Sequence, residues 1–172
     1  MKTNIFTVFF ASMLTYGCIS TPRQAILIDV PFHPQELTNH CGVISLAMTL
    51  DYYDVTYSIT NLVDQAFISI LNGSSLELLA DTANKYGLDT EIDHLSIDKL
   101  QQIISAKHIP IIYLAPINNT EIGHFAIITG ISSDSKKLRI HEPDLPNHWL
   151  RASKLKKRAT AGVFPALIIS KH

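Results

Sequence analysis

The sequence is poor in cysteine, with two in 172 residues. Two cysteines cannot build a disulfide scaffold, and their surroundings match no Cys/His spacing of a structural zinc site. An excess of charge of either sign is also missing: 14 Lys and Arg stand against 15 Asp and Glu. The net charge of −1 gives no electrostatic reason to expect nucleic acid or another polyanion as a partner. The N-terminal apolar run, Ile5 to Leu14, is shorter than the ~20 residues that cross a bilayer. There is no internal repeat and no low-complexity segment. What remains is a chain with 47% hydrophobic and 17% charged residues, which excludes a disordered or collagen-like protein. Its length fits one domain with a real core. The useful question is what each cysteine is for.

Lys2, a short apolar stretch and then small residues form the pattern of a secretory signal peptide. The stretch ends in Leu14-Thr15-Tyr16-Gly17-Cys18, which resembles the bacterial lipobox. There a small residue precedes a cysteine that receives diacylglycerol and becomes the mature N-terminus. Gly17 and Cys18 match; Thr15 stands where Leu is usual, and Tyr16 is bulkier than usual. The resemblance implies a signal peptide over 1–17 and a lipidated N-terminus and tether over 18–25. It also implies a location in the bacterial cell envelope, anchored to a membrane and facing the periplasm or exterior. A diacyl group plus an N-acyl chain anchors stably where one chain would be marginal. A plain signal peptide is the competing reading.

The remaining chain, 26–172, divides by period. Ala25–Val30 reads as a short strand closed by Pro31, and the two prolines of the segment to His40 make it a loop. From Cys41, apolar residues on nearly every side predict a buried central helix. Ser58 caps a second helix with Ile59, Leu62, Val63, Ala66, Phe67 and Ile70 inward. Ser75 caps a third, which Gly87 stops, and Ser96 a fourth. The second half then reads as strands: Ile109–Ala115, His124–Ile131, Lys137–His141 and Val163–Ile169. Helices first and an antiparallel sheet second predict an α+β fold in one domain.

Cys41 opens the central helix, where backbone N–H groups and the helix dipole favour a thiolate. A thiolate is the nucleophile of covalent acyl transfer. The bland reading, a buried structural cysteine, has comparable weight on position alone. The surroundings favour the nucleophile. Gln35, six residues upstream, can join the Cys41 N–H to hold an oxyanion. His124 starts a strand, where a general base can face a helix N-terminus. Glu142, after the next strand, can accept from the imidazole Nδ1–H and fix its tautomer.

These residues carry a family resemblance. Val30-Pro31-Phe32-His33-Pro34-Gln35 followed by Asn39-His40-Cys41-Gly42 and an apolar helix is similar to the nucleophile segment of bacteriocin-processing, double-glycine leader peptidases. Gly123-His124-Phe125-Ala126 resembles their histidine strand, and His141-Glu142-Pro143-Asp144 their Asp-Pro segment. The resemblance implies a papain-like cysteine peptidase fold, with N-terminal helices packed on a C-terminal antiparallel sheet. It implies Cys41 as nucleophile, His124 as general base and acid, and Gln35 as oxyanion donor, with no cofactor. The orienting acid falls on Glu142, with Asp144 as the alternative or a Cys-His dyad without it. Exporter-linked members continue into a transporter and an ATPase. This sequence ends at His172, so a stand-alone lipoprotein form is the expectation.

The expected function is therefore cleavage of a peptide bond in a peptide or protein substrate, through a thioester on Cys41. One alternative is a non-catalytic peptide-binding module of an envelope assembly, which would have no need to keep both Cys41 and His124. Another is a different acyl-transfer enzyme on the same fold, an amidase or a transglutaminase-like enzyme. A metal held by His33, His40, Cys41 and His124 is disfavoured, because the spacing fits no zinc pattern. The run Arg151, Lys154, Lys156, Lys157 and Arg158 reads as a solvated basic face. Trp149, the only Trp, reads as a core anchor, and Tyr52, Tyr53 and Tyr57 as the cover of the central helix's end.

Overall fold

The computed structural model describes residues 22, 24–36, 38–116, 123–142 and 145–172. The expected signal peptide, Cys18, Pro143 and Asp144 lie outside the described residues. Cys41–Tyr52 forms helix α1 and buries Gly42, Val43 and every residue from Ser45 to Leu50. That apolar circumference makes α1 the interior helix, packed against the two helices that follow it and against the sheet. Helices α2 (Ile59–Ala66), α3 (Leu76–Lys85) and α4 (Ile97–Ser105) show one apolar stripe each. Ser75 and Ser96 cap α3 and α4 by accepting from the N–H of Leu78 and Lys99. Ser58 holds the N-cap position of α2, but its side chain makes no capping bond.

The strands are β1 (Ala25–Leu27), β2 (Asp89–Leu95), β3 (Ile109–Leu114), β4 (His124–Ser132), β5 (Lys137–Glu142), β6 (Leu145–Arg151) and β7 (Phe164–Ser170). A short helix α5 (Ala152–Leu155) and a 3-10 turn over Lys156–Arg158 join β6 to β7. Among the described residues the strands form one sheet in the order β2-β7-β3-β4-β5-β6, with β1 beside β4, and every pairing is antiparallel. Strand β4 is the spine. Its first half pairs with β3, as in Tyr113 opposite Phe125, and its last residues pair with β1. Every residue from Phe125 to Ser132 is buried, which requires cover on both faces. The α+β architecture expected from the sequence is the one observed.

Three local expectations fail. Helix α2 stops at Ala66 because Phe67 is extended, so Phe67 lies outside the helix and Ile70 is 92% exposed; Ile59 is also exposed. Trp149 is only half-buried on edge strand β6, opposite Arg139, and is no part of the core. Arg158 separates from its basic neighbours: Arg151, Lys154, Lys156 and Lys157 are exposed, whereas its own side chain is 15% exposed. The tyrosines do cover the end of α1. Tyr53 donates to the Ile169 carbonyl at 2.8 Å, Tyr52 meets its ring edge-on, and Tyr57 donates to Asp51.

Candidate active site

The loop before α1 turns through Asn39, at φ 63°, into His40 and Cys41. His40 is the N-cap, yet no side chain accepts from the first turn; its ring stacks on Phe67 instead, at a centroid distance of 4.2 Å. No acidic side chain occupies that turn either. The N–H groups that open a helix have no partner inside it, so the positive end of α1 is left for the thiol and for what the thiol meets. Gly42 explains how the helix start comes so close to its neighbours. A Cβ there would lie 2.7 Å from Cβ of Ser74 and 3.0 Å from the Phe125 ring.

Cys41 is a half-buried free thiol whose Sγ accepts from the Phe125 N–H at 3.4 Å. Burial pushes its pKa up, and the N–H groups of Phe125, Gly42 and Cys41 itself pull the other way without cancelling that rise. This differs from the simple expectation of a thiolate favoured by a helix start. The reason is desolvation, which acts on the charged form and grows with burial.

His124 is the first residue of β4, immediately before the strand residue whose N–H meets the sulfur. Its Nε2 lies 3.1 Å from Oε1 of Glu142. The sequence expectation put Glu142 on Nδ1; the structure puts it on Nε2, because β5 runs alongside β4 and delivers Glu142 to the far side of the ring. Nδ1 faces Nη2 of Arg158 at 3.1 Å. The second carboxylate oxygen, Oε2, lies 2.9 Å from Nε2 of His148 on β6. His124 and His148 hold the Glu142 carboxyl well below the usual carboxylate range, against the effect of its burial.

Gln35, Cys41, His124 and Glu142 line one cleft of about 690 Å³, with Asn39, Leu71, Asn72, Ser74, Tyr113 and Leu145 around them. Oε1 of Gln35 is buried with no hydrogen-bond partner among the described residues. A buried carbonyl oxygen without a partner is costly, which marks the Gln35 side chain as held for something other than packing. His33 and His40 do not converge on the cleft: His33 pairs with Asp51, and His40 binds the Thr38 carbonyl. Two site residues escaped the sequence reading. His148 lies in a stretch with Pro146 and Asn147 that gives no strand signal, and Arg158 sits inside a basic run that looks solvated. No sequence pattern separates Arg158 from Lys156 and Lys157.

The Peptidase C39 family model matches residues 29–164. Among solved structures, a double glycine motif protease from an AMS/PCAT transporter, in complex with the leader peptide, is 21% identical at TM-score 0.65. That match covers 87% of this chain and 96% of that one. The peptidase domain of Streptococcus ComA is 20% identical at TM-score 0.65, covering 81% and 96%. A C39-like peptidase from Bacillus anthracis is 18% identical at TM-score 0.68, covering 87% and 98%. These likenesses show the fold, which is papain-like. In the comparison with curated proteins, none matches this chain.

Proposed function

This chain belongs to the Peptidase C39 family, and from that premise we propose that it is a cysteine peptidase whose nucleophile is Cys41. The observation that carries the reading is the convergence of Cys41, His124, Glu142 and Gln35 on one cleft. With Nε2 committed to Glu142, Nδ1 is the ring nitrogen that serves the thiol once Nη2 of Arg158 moves off it. In the proposed reaction the Sγ proton passes to Nδ1 of His124 and the thiolate attacks the scissile carbonyl carbon. The oxyanion forms where the Cys41 N–H and the Gln35 side-chain amide can donate to it. The C–N bond then breaks, and the His124 proton leaves with the amine. Water, deprotonated by the same imidazole, cleaves the thioester and frees Cys41. Glu142 stays ionised throughout and orients the ring.

The substrate class is a peptide or protein, a reading supported by the relative solved with a leader peptide. An open cleft with both polar and apolar walls, from Asn39 and Asn72 to Leu71 and Leu145, suits an extended peptide. We place the enzyme in the cell envelope, anchored through Cys18, on the lipobox resemblance described above. The test is a peptide library digested by wild type, Cys41→Ser and His124→Ala. Cleavage products with wild type and none with either variant are expected. Cleavage that persists in Cys41→Ser would sink the reading.

A further inference from the structure

His124 has a side-chain partner at each ring nitrogen: Glu142 at Nε2 and Arg158 at Nδ1, both at 3.1 Å. A guanidinium only donates, and it stays charged at any pH the fold survives. Nδ1 must therefore turn its lone pair to Arg158, and Nε2 must carry the proton that Glu142 accepts. The geometry specifies one tautomer. It also shows that the lone pair required by the thiol is already engaged.

Arg158 is fixed in this position from several sides. The Ala115 N–H donates to the Arg158 carbonyl at 3.0 Å, and Nε of Arg158 donates back to the Ala115 carbonyl at 3.0 Å. Nη1 lies 3.7 Å from Oε1 of Glu142, so the guanidinium spans the base and its orienting acid. Meanwhile Sγ of Cys41 takes the Phe125 N–H, and among the described residues no hydrogen bond joins it to His124.

We infer that Arg158 is a positioning residue that masks the base: it holds His124 as the Nε2-protonated tautomer with Nδ1 bonded to Nη2, and the Cys41 thiol stays unarmed until Nη2 leaves. The inference rests on the reading of Cys41 as nucleophile and His124 as its base. Arming is a proton transfer without loss of atoms. Nη2 withdraws, the Sγ–H proton passes to Nδ1, and the products are a thiolate and an imidazolium whose Nε2–H still binds Glu142. A guanidinium and an imidazolium repel at contact, so the armed pair and the Arg158 contact exclude each other. The raised pKa of Cys41 agrees with a thiol at rest.

The experiment is the rate of Cys41 alkylation by iodoacetamide across pH. It compares wild type, His124→Ala, Arg158→Met and the Arg158→Met/His124→Ala double variant. His124→Ala should change the resting alkylation rate little, because the base is masked in wild type. Arg158→Met, which keeps the apolar stem and loses every donor, should speed it about tenfold at neutral pH and move the profile's midpoint down. The double variant should match His124→Ala, because the gain acts through the imidazole. Wild-type behaviour of Arg158→Met overturns the inference, and so does a gain that survives in the double variant, which would mean mere opening of the site. If the peptide cleavage seen with wild type survives His124→Ala, the nucleophile-base reading itself fails and takes the inference with it. Should Arg158→Met fail to fold, ¹⁵N spectra of histidine-labelled wild type decide. His124 must show a protonated Nε2 and a bare Nδ1; a proton on Nδ1 at neutral pH overturns the claim.

Discussion

Oε2 of Glu142 lies 2.9 Å from Nε2 of His148, while Oε1 of the same carboxylate serves His124. One acid thus stands between two imidazoles brought by neighbouring strands, β4 and β6, on either side of β5. Carboxylate, ring and ring form a row in which the outer histidine fixes the acid and the acid fixes the inner histidine. Glu142→Gln should lower kcat/KM about 10- to 100-fold, the usual scale for a group that orients another. His148→Ala should cost less, about three- to tenfold, since one charge-assisted hydrogen bond is lost while His124 still holds Oε1. Steady-state kinetics on a cleaved peptide check both. Equal losses would mean that His148 is as central as the acid itself.

Acid stability should depend on His141. Its ring is buried at 1% exposure; Nε2 pairs with the Val30 carbonyl at 2.9 Å and Nδ1 accepts from the Asn147 N–H at 3.0 Å. Burial lowers its pKa, so the fold keeps it neutral while the unfolded chain protonates near the ordinary value of about 6.5. The stabilisation from a neutral His141 is complete above that value and declines as pH falls below it, because the unfolded state then binds the proton. Melting temperature from about pH 7.5 down to about pH 5 should fall faster for wild type than for His141→Gln. Parallel curves would remove His141 as the source.

Gly123 should tolerate no side chain while Tyr113 is present. A Cβ at Gly123 would overlap the Tyr113 hydroxyl and Cζ and lie 2.8 Å from Cε2. Gly123→Ala should destabilise by ~1–3 kcal/mol, the range for overpacking. Tyr113→Phe should not rescue it, because the ring carbons still collide. Tyr113→Ala in the same chain should recover part of the loss, and a double-mutant cycle in urea measures the coupling.

Attachment to the membrane should depend on Cys18. In a bacterial host, Cys18→Ser should abolish incorporation of labelled fatty acid and move the protein from the membrane to the soluble fraction. A variant still bound and still labelled would remove the anchor from the proposal.

Much of this fold is written locally. The caps at Ser75 and Ser96, the apolar circumference of α1 and the buried runs of β3, β4 and β7 are signals that neighbours along the chain suffice to set. Strands β2 and β6 were invisible because they are the two edges of the sheet. Asp89-Thr90-Glu91-Ile92-Asp93-His94 keeps little apolar alternation, and Leu145-Pro146-Asn147 reads as a loop, although an edge strand tolerates proline. For the site, the motifs around Cys41 and His124 identify what must meet, but not the far side of the ring. Which nitrogen Glu142 takes depends on the β4–β5 register, and the presence of Arg158 depends on the turn after β6. Both are set by long-range pairing that no local pattern encodes.

Strand β1 pairs with the end of β4 remote from His124, Ala25 lying opposite Ser132. At ~3.3 Å per residue, the nine residues of β4 put about 26 Å between the point where the chain enters the domain and the histidine. If Cys18 carries the lipid as we propose, that length of strand would stand between the tether and the catalytic histidine, and the bonds within reach would be those a substrate presents clear of the headgroups.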